Sequence, residues 1–176
     1  LVSNPYEGER KAGSVGLPLP GVDLRLDDGE IVVRGPNVFG GYLDPVEGAF
    51  ADDGWFRTGD LGRLDEDGYL RIVGRSKELI ITGGYNVYPR EVEEVLHRHP
   101  AIAQAAVVGI PHARYGEDVK AVVTLKPGAS ATADEIIAWA GPHLAAYKRP
   151  RIVEIRDTLP VGATGKVLKA ALRDAA

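Results

Sequence analysis

The sequence predicts an α+β protein: a small β subdomain over residues 1–74, then a compact α+β domain over residues 75–176 whose short sheet is flanked by helices. Three observations lead there. Residues 1–74 are short alternating segments punctuated by glycine and proline, the pattern of strands and turns. Residues 75–176 bring β-branched runs interrupted by two helix-start signals, Pro89 and Thr132-Ala133-Asp134-Glu135. At 176 residues, 44% hydrophobic and 26% charged, the chain has room for one domain or two small ones and can bury a core.

In chain order, Val22 to Leu26 alternates apolar and polar, which suits a half-buried strand. Asp27-Asp28-Gly29 turns it into Glu30 to Arg34, predicting a hairpin. Asp65-Glu66-Asp67-Gly68 is a second turn, leading to a strand from Tyr69 to Val73. Beyond a boundary near Gly74-Arg75, Glu78 to Thr82 is a short strand and Gly83-Gly84 a turn. Pro89 opens a helix to about His99 with Val92, Val95 and Leu96 on one face. Residues 102–109 and 118–126 are strand-like. The capping box precedes a helix carrying Ile136, Ile137 and Trp139, and Pro142 kinks or restarts it. Arg151 to Arg156 alternates as a strand. Lys166 to Asp174 is expected as a terminal helix with Val167, Leu168 and Leu172 as its apolar side. The second domain thus reads β-α-β-β-α-β-α.

Composition excludes several functions. Cysteine is absent, so disulfides, thiolate metal sites and cysteine nucleophiles are excluded. Histidines 97, 99, 112 and 143 lack zinc spacing, and the expectation is no metal site. There is neither a membrane-spanning apolar run nor a signal-peptide pattern. Methionine is also absent and the chain opens Leu1-Val2-Ser3, which reads as part of a longer product or as a processed N-terminus. Residues 75–176 hold 14 Lys/Arg against 11 Asp/Glu, and residues 1–74 hold 7 against 14. A mildly basic second half serves an anionic ligand or a plain solvated surface equally well, and the excess is too small for nucleic acid.

Three segments carry residue types suited to chemistry. In Arg57-Thr58-Gly59-Asp60-Leu61, a carboxylate beside a glycine turn can accept from two neighbouring hydroxyls, as a ribose diol requires. Alone, such an aspartate more often satisfies a turn. Thr82-Gly83-Gly84-Tyr85-Asn86, after Gly74-Arg75-Ser76-Lys77-Glu78, offers backbone that a ligand can approach closely, or a plain hairpin turn. Leu159 to Lys166 is a loop with two glycines that delivers a lysine to the start of the expected helix. There the lysine gains nothing from the helix dipole, so another reason for it is sought. An ammonium placed where negative charge develops is one. The glycine spacing is not that of a Walker A loop.

Order and spacing decide among these readings. The chain resembles the adenylate-forming superfamily of acyl-CoA synthetases, nonribosomal adenylation domains and firefly-type luciferases. Five segments match in family order: Gly29 to Gly35 through Gly41-Tyr42, Trp55 to Leu61, Gly68-Tyr69-Leu70 through Glu78, Gly83 to Pro89 with Glu91 and Glu93, and Tyr147-Lys148-Arg149-Pro150 through Leu159-Pro160 to Gly165-Lys166. The match covers essentially the whole chain. Lys77-Glu78-Leu79-Ile80 and Tyr147-Lys148-Arg149-Pro150 look more like acyl-CoA synthetases than carrier-loading enzymes.

The resemblance implies the C-terminal part of an acyl-CoA synthetase. Such an enzyme joins a carboxylic acid to AMP from ATP, with Mg2+ accompanying the nucleotide, and then transfers the acyl group to CoA. It implies a cytoplasmic enzyme of the fatty-acid-metabolism kind and the last β subdomain of a larger N-terminal part, followed by a mobile lid. Asp60 falls on the family's ribose-binding aspartate and Arg75 on an arginine of the same region. Lys77 falls on the hinge, Gly83 and Gly84 on the pantetheine tunnel, and Lys166 on the lysine that bridges carboxylate and α-phosphate. Lys148, Arg149 and Arg151 could meet CoA phosphates. The phosphate loop and acyl pocket are absent from these residues, so this chain alone is expected to be inactive, with the N-terminal part of the same enzyme as its partner. The rival expectations are an adenylation enzyme loading a carrier protein, a luciferase-like oxygenase, and a non-enzymatic CoA-binding or interaction module.

Overall fold

The computed structural model describes residues 1–51 and 53–173. The chain divides into two compact units between Lys77 and Glu78. The architecture is α+β, as the sequence predicts.

The first unit is built of strands. β1 (Val2–Ser3) and β2 (Leu17–Pro18) form a small antiparallel pair. β3 (Asp23–Asp27), β4 (Glu30–Arg34), β5 (Phe56–Leu64) and β6 (Leu70–Arg75) form a four-stranded antiparallel sheet in chain order. Asp27 pairs with Glu30 across the two-residue loop Asp28-Gly29, and both loop residues have positive φ (48° and 84°). That backbone twist matches the strands it joins, and Asp-Gly is a sequence that tolerates it. At the next corner the Asp65 carboxylate accepts from the amides of Asp67 and Tyr69 at 3.1 and 2.9 Å. Ile31, Val33 and Leu70 form the core, packed against Leu24, Leu26, Phe56 and Ile72.

In the second unit, β10 (Gly116–Leu125) is the central strand. It pairs antiparallel with β9 (Ile102–His112), parallel with β11 (Ile152–Ile155), and at Gly116 with β7 (Ile80–Thr82), which pairs β8 (Tyr85–Val87). Helices α1 (Pro89–Leu96) and α2 (Ala133–Ala140) cover one face through Val92, Val95, Leu96 and Ile136, against Ile80, Val107, Val119, Ala121 and Val123. The alternate residues Ala106, Val108 and Val122 point the other way and meet Leu159 and Leu172. Both faces of β9 and β10 are therefore covered, which is why these strands read as continuous apolar runs.

Three local expectations change. Tyr85–Val87 is a strand that the sequence did not announce, because two of its three side chains are exposed. α1 stops at Leu96 and passes into turns through His99. The terminal helix α3 covers Ala170–Arg173, beginning four residues later than expected, and Asp174 lies outside the described residues. The reason is a tight hairpin over residues 160–168, in which the Lys166 carbonyl accepts from Gly162 N at 2.8 Å. A carbonyl spent across a hairpin cannot start a helix. Pro142 does restart the chain after α2, as a single 3-10 turn over Gly141–His143.

Candidate active site

In the first unit, Thr58-Gly59-Asp60 is a bulge inside β5, where the expectation was a glycine turn. The register with β4 slips between Glu30 and Val32, and Gly59 takes φ 73°. A left-handed glycine is what lets a strand carry extra residues without breaking its ladder. Glu30 holds the bulge from beneath: its carboxylate accepts from Gly59 N at 2.9 Å and binds Arg57 at 2.9–3.0 Å. Thr58 donates its hydroxyl to the Ile31 carbonyl at 2.7 Å and accepts from Asp60 N at 3.1 Å. Hydrogen bonding to Asp27 and the charge of Glu30 push Arg57 still further above its ordinary range.

The bulge aims Asp60 at Arg75. The two are direct cross-strand partners on β5 and β6, with Arg75 Nε 2.9 Å from Asp60 Oδ1. Asp60 is half-buried, while the Arg75 side chain is largely exposed at 64%. Ser76 donates its hydroxyl to the Gly59 carbonyl at 3.2 Å, tying the end of the sheet back to the bulge. Two residues assigned to one ligand from family order alone are thus neighbours in space. A carboxylate with one oxygen on a guanidinium keeps the other for a polar ligand.

In the second unit, Gly83 and Gly84 form the two-residue turn between β7 and β8, both at positive φ (56° and 83°). A Cβ on Gly84 would meet nothing within 4 Å, so its backbone lies bare. The turn is held from one side by the β9–β10 corner. Gly83 N donates to the Tyr115 carbonyl at 2.8 Å, and Ile81 N donates to the Glu117 carboxylate at 2.8 Å. Beside it, Tyr85 stacks on Tyr147 with ring centroids 4.7 Å apart.

Lys148 and Arg151 stand near this turn in sequence pairing but each already answers a carboxylate. Lys148 Nζ lies 2.6 and 2.7 Å from the two oxygens of Glu91. Arg151 Nε is 3.2 Å from Asp118 Oδ1, and its guanidinium covers the Tyr115 ring at 4.6 Å. An anion there would have to compete with carboxylates for both cations.

Lys166 follows the tip of the hairpin. Val161 bridges Val167, Leu168 N donates to the Pro160 carbonyl at 2.8 Å, and Gly165 turns the chain at φ 75°. The base is fixed by Leu159 and Leu172, which are buried in the cluster on β9 and β10. The Lys166 side chain is exposed and makes no ion pair or hydrogen bond among the described residues. Sequence reasoning missed the supporting carboxylates: Glu30 under the bulge, Glu91 on Lys148, Glu117 on β7, and Glu93, which meets Lys169 at 2.9 Å. Glu91 and Glu93 stood inside a matched motif, but nothing in their spacing says what they would bind.

Residues 91–166 match the family model described as the AMP-binding enzyme C-terminal domain. Over those residues the chain is similar to that domain. It is 43% identical over 187 residues to a long-chain-fatty-acid–CoA ligase of Yersinia pestis, covering 99% of this chain and 33% of that protein. A ligase of the same description from Bacillus subtilis is 45% identical over 179 residues, covering 94% and 32%. ATP-bound MatB from Rhodopseudomonas palustris superimposes with a TM-score of 0.91 at 44% identity, over 98% of this chain and 37% of that one. The chain therefore spans about a third of the length of the curated relatives it matches. Among the described residues, no helix is long and apolar enough to cross a membrane.

Proposed function

We propose that this AMP-binding C-terminal domain and the β subdomain before it serve an acyl-CoA synthetase that works in two steps. In the first, a carboxylate attacks the α-phosphorus of ATP, forming acyl-AMP and releasing pyrophosphate. In the second, the thiol of CoA displaces AMP. The names of the relatives point to fatty acids as the acyl class, and the cytoplasm is the compartment that fits CoA chemistry.

In the first step two anions meet. Lys166, on its exposed hairpin, supplies the cation that offsets their repulsion as charge builds on the transferring group. Asp60 receives the ribose hydroxyls on the oxygen that Arg75 leaves open, and Arg75 keeps the carboxylate aimed. The magnesium that travels with ATP takes its ligands from outside this chain. In the second step the thiol arm passes the bare backbone of Gly83 and Gly84. Lys148 and Arg151 meet the phosphates of CoA by exchanging Glu91 and Asp118 for them. Lys77 is the hinge, and the division of the chain immediately after it supports that placement.

The observation that carries this reading is the Lys166 hairpin: a cation held on a fixed turn, with no partner among the described residues. The test is a pair of half-reactions with the full-length protein that contains this chain. Carboxylate-dependent pyrophosphate exchange and acyl transfer to CoA are both expected. Transfer to a carrier protein in place of CoA would overturn the acceptor, and absence of exchange would overturn the enzyme.

A further inference from the structure

We propose that Lys169 is a positioning residue: with Glu93 and Glu78 it forms an ionic clamp that fixes the course of the chain leaving the Lys166 hairpin. The functional half of this proposal rests on the role given to Lys166 above.

The geometry is specific. Lys169 Nζ lies 2.7 Å from Glu78 Oε2 and 2.9 Å from Glu93 Oε1. The same Glu93 oxygen accepts from Val107 N at 2.8 Å. Val107 lies on β9, whose other side pairs with β10, so its amide at the free edge would have no strand to bond. Glu93 therefore does two things: it satisfies a backbone donor at a sheet edge and draws Lys169 onto the same point. The side chains of Lys169 and Glu93 are only 21% and 16% exposed, so water competes weakly for either charge. A charge-assisted bond in that setting holds better than a surface pair.

The clamp sits where it matters. Lys169 is three residues beyond Lys166, and Leu168 and Val167 between them already belong to the hairpin. Leu172, a further three residues on, is fully buried against β9 and β10. Leu159 and Leu172 are greasy contacts that allow sliding along the sheet. Two hydrogen-bonded carboxylates do not allow it, because each fixes a direction. Glu78 adds a second consequence. It is the first residue of the second unit, so the clamp joins the chain just beyond Lys77 to the chain just beyond Lys166.

The experiment compares wild type with Lys169→Met, Lys169→Arg and Glu93→Gln. In the 176-residue chain, amide exchange is read at Gly162, Gly165 and Leu168, with Val122 as an internal control of the fold. Lys169→Met is expected to speed exchange at the three hairpin amides by about tenfold while Val122 is unchanged. Lys169→Arg keeps them near wild type. In the full-length protein, Lys169→Met is expected to lower pyrophosphate exchange by about tenfold, through kcat and with little change in KM for ATP, and to spare thioester formation from supplied acyl-AMP. Lys169→Arg restores most of it. Unchanged hairpin exchange in Lys169→Met overturns the clamp. Faster hairpin exchange with unaltered adenylation overturns the positioning role. A Lys166→Ala control that retains full adenylation overturns the reading of Lys166 and leaves the exchange result to judge the clamp alone.

Discussion

Replacing Lys166 by alanine should be almost silent in stability and severe in one half-reaction only. The structure sets both magnitudes. The Lys166 side chain is exposed and makes no ion pair or hydrogen bond among the described residues, and the hairpin is held by backbone bonds of Gly162, Gly165 and Leu168 in which only the Lys166 carbonyl takes part. Nothing is left unpaired when it goes, so unfolding of the chain by urea should shift by no more than about 0.5 kcal/mol. The loss in catalysis follows from charge. Removing one preorganised donor from a site where negative charge develops costs about 2.7–4 kcal/mol, or roughly 10²–10³ in rate. A full ammonium between two anions belongs at the upper end or beyond. The assays are urea denaturation of the 176-residue chain and, in the full-length protein, pyrophosphate exchange beside thioester formation from supplied acyl-AMP. Exchange should collapse and thioester formation should persist. Equal loss in both half-reactions, or a stability loss well above 1 kcal/mol, would refute the reasoning, because either would make Lys166 a structural residue.

Gly84→Leu should do the reverse, blocking transfer to CoA while pyrophosphate exchange continues. The space beside Gly84 is open but its φ is 83°, so a stability cost of about 1–3 kcal/mol is also expected, seen by urea denaturation. Thr132→Ala should destabilise the chain by about 1 kcal/mol, because it removes the cap at the Glu135 amide while leaving activity alone. Acid should weaken the chain partly through Glu154, whose carboxyl is held below its ordinary 4.5 by hydrogen bonds from Arg156 and then Lys120. A depressed folded pKa means the contribution is complete above the ordinary value and is lost as pH falls through the folded one. Glu154→Gln should therefore flatten the fall of the urea midpoint as pH drops below that ordinary value, and an unaltered acid limb would remove Glu154 from the account.

What could be read in advance depended on how local the signal was. Asp28-Gly29 needs left-handed backbone whatever surrounds it, and the Thr132–Glu135 box satisfies its own helix end, so both were visible in four residues or fewer. The sequence puts Lys166 at a helix start, because Val167, Leu168 and Leu172 are spaced like a helical face. The two glycines instead close a hairpin, and only Leu172 is deeply buried. Apolar spacing over seven residues cannot separate those outcomes when the deciding bonds run between Gly162 and Lys166. The sequence sets Asp60 beside a flexible glycine, but its setting is a bulge, which requires knowing that β4 lies alongside. The carboxylates Glu30, Glu93 and Glu117 were invisible in any functional sense. Each acts on a residue between 14 and 36 positions away, and such pairing is a property of the folded sheet.

Those pairings also constrain how two steps can share one domain. Gly83-Gly84 is pinned to the corner of β9 and β10 through Tyr115 and Glu117. The Lys166 hairpin is pinned to the face of the same two strands through Leu159 and Leu172. β9 and β10 are paired along nearly their full length, so the separation between the glycine turn and the lysine is fixed by the sheet. Neither feature can approach a reacting atom independently of the other. If adenylation needs the lysine and thioester formation needs the glycine turn, the change between steps cannot be a loop movement within this domain. It would then be a movement of the unit as a whole.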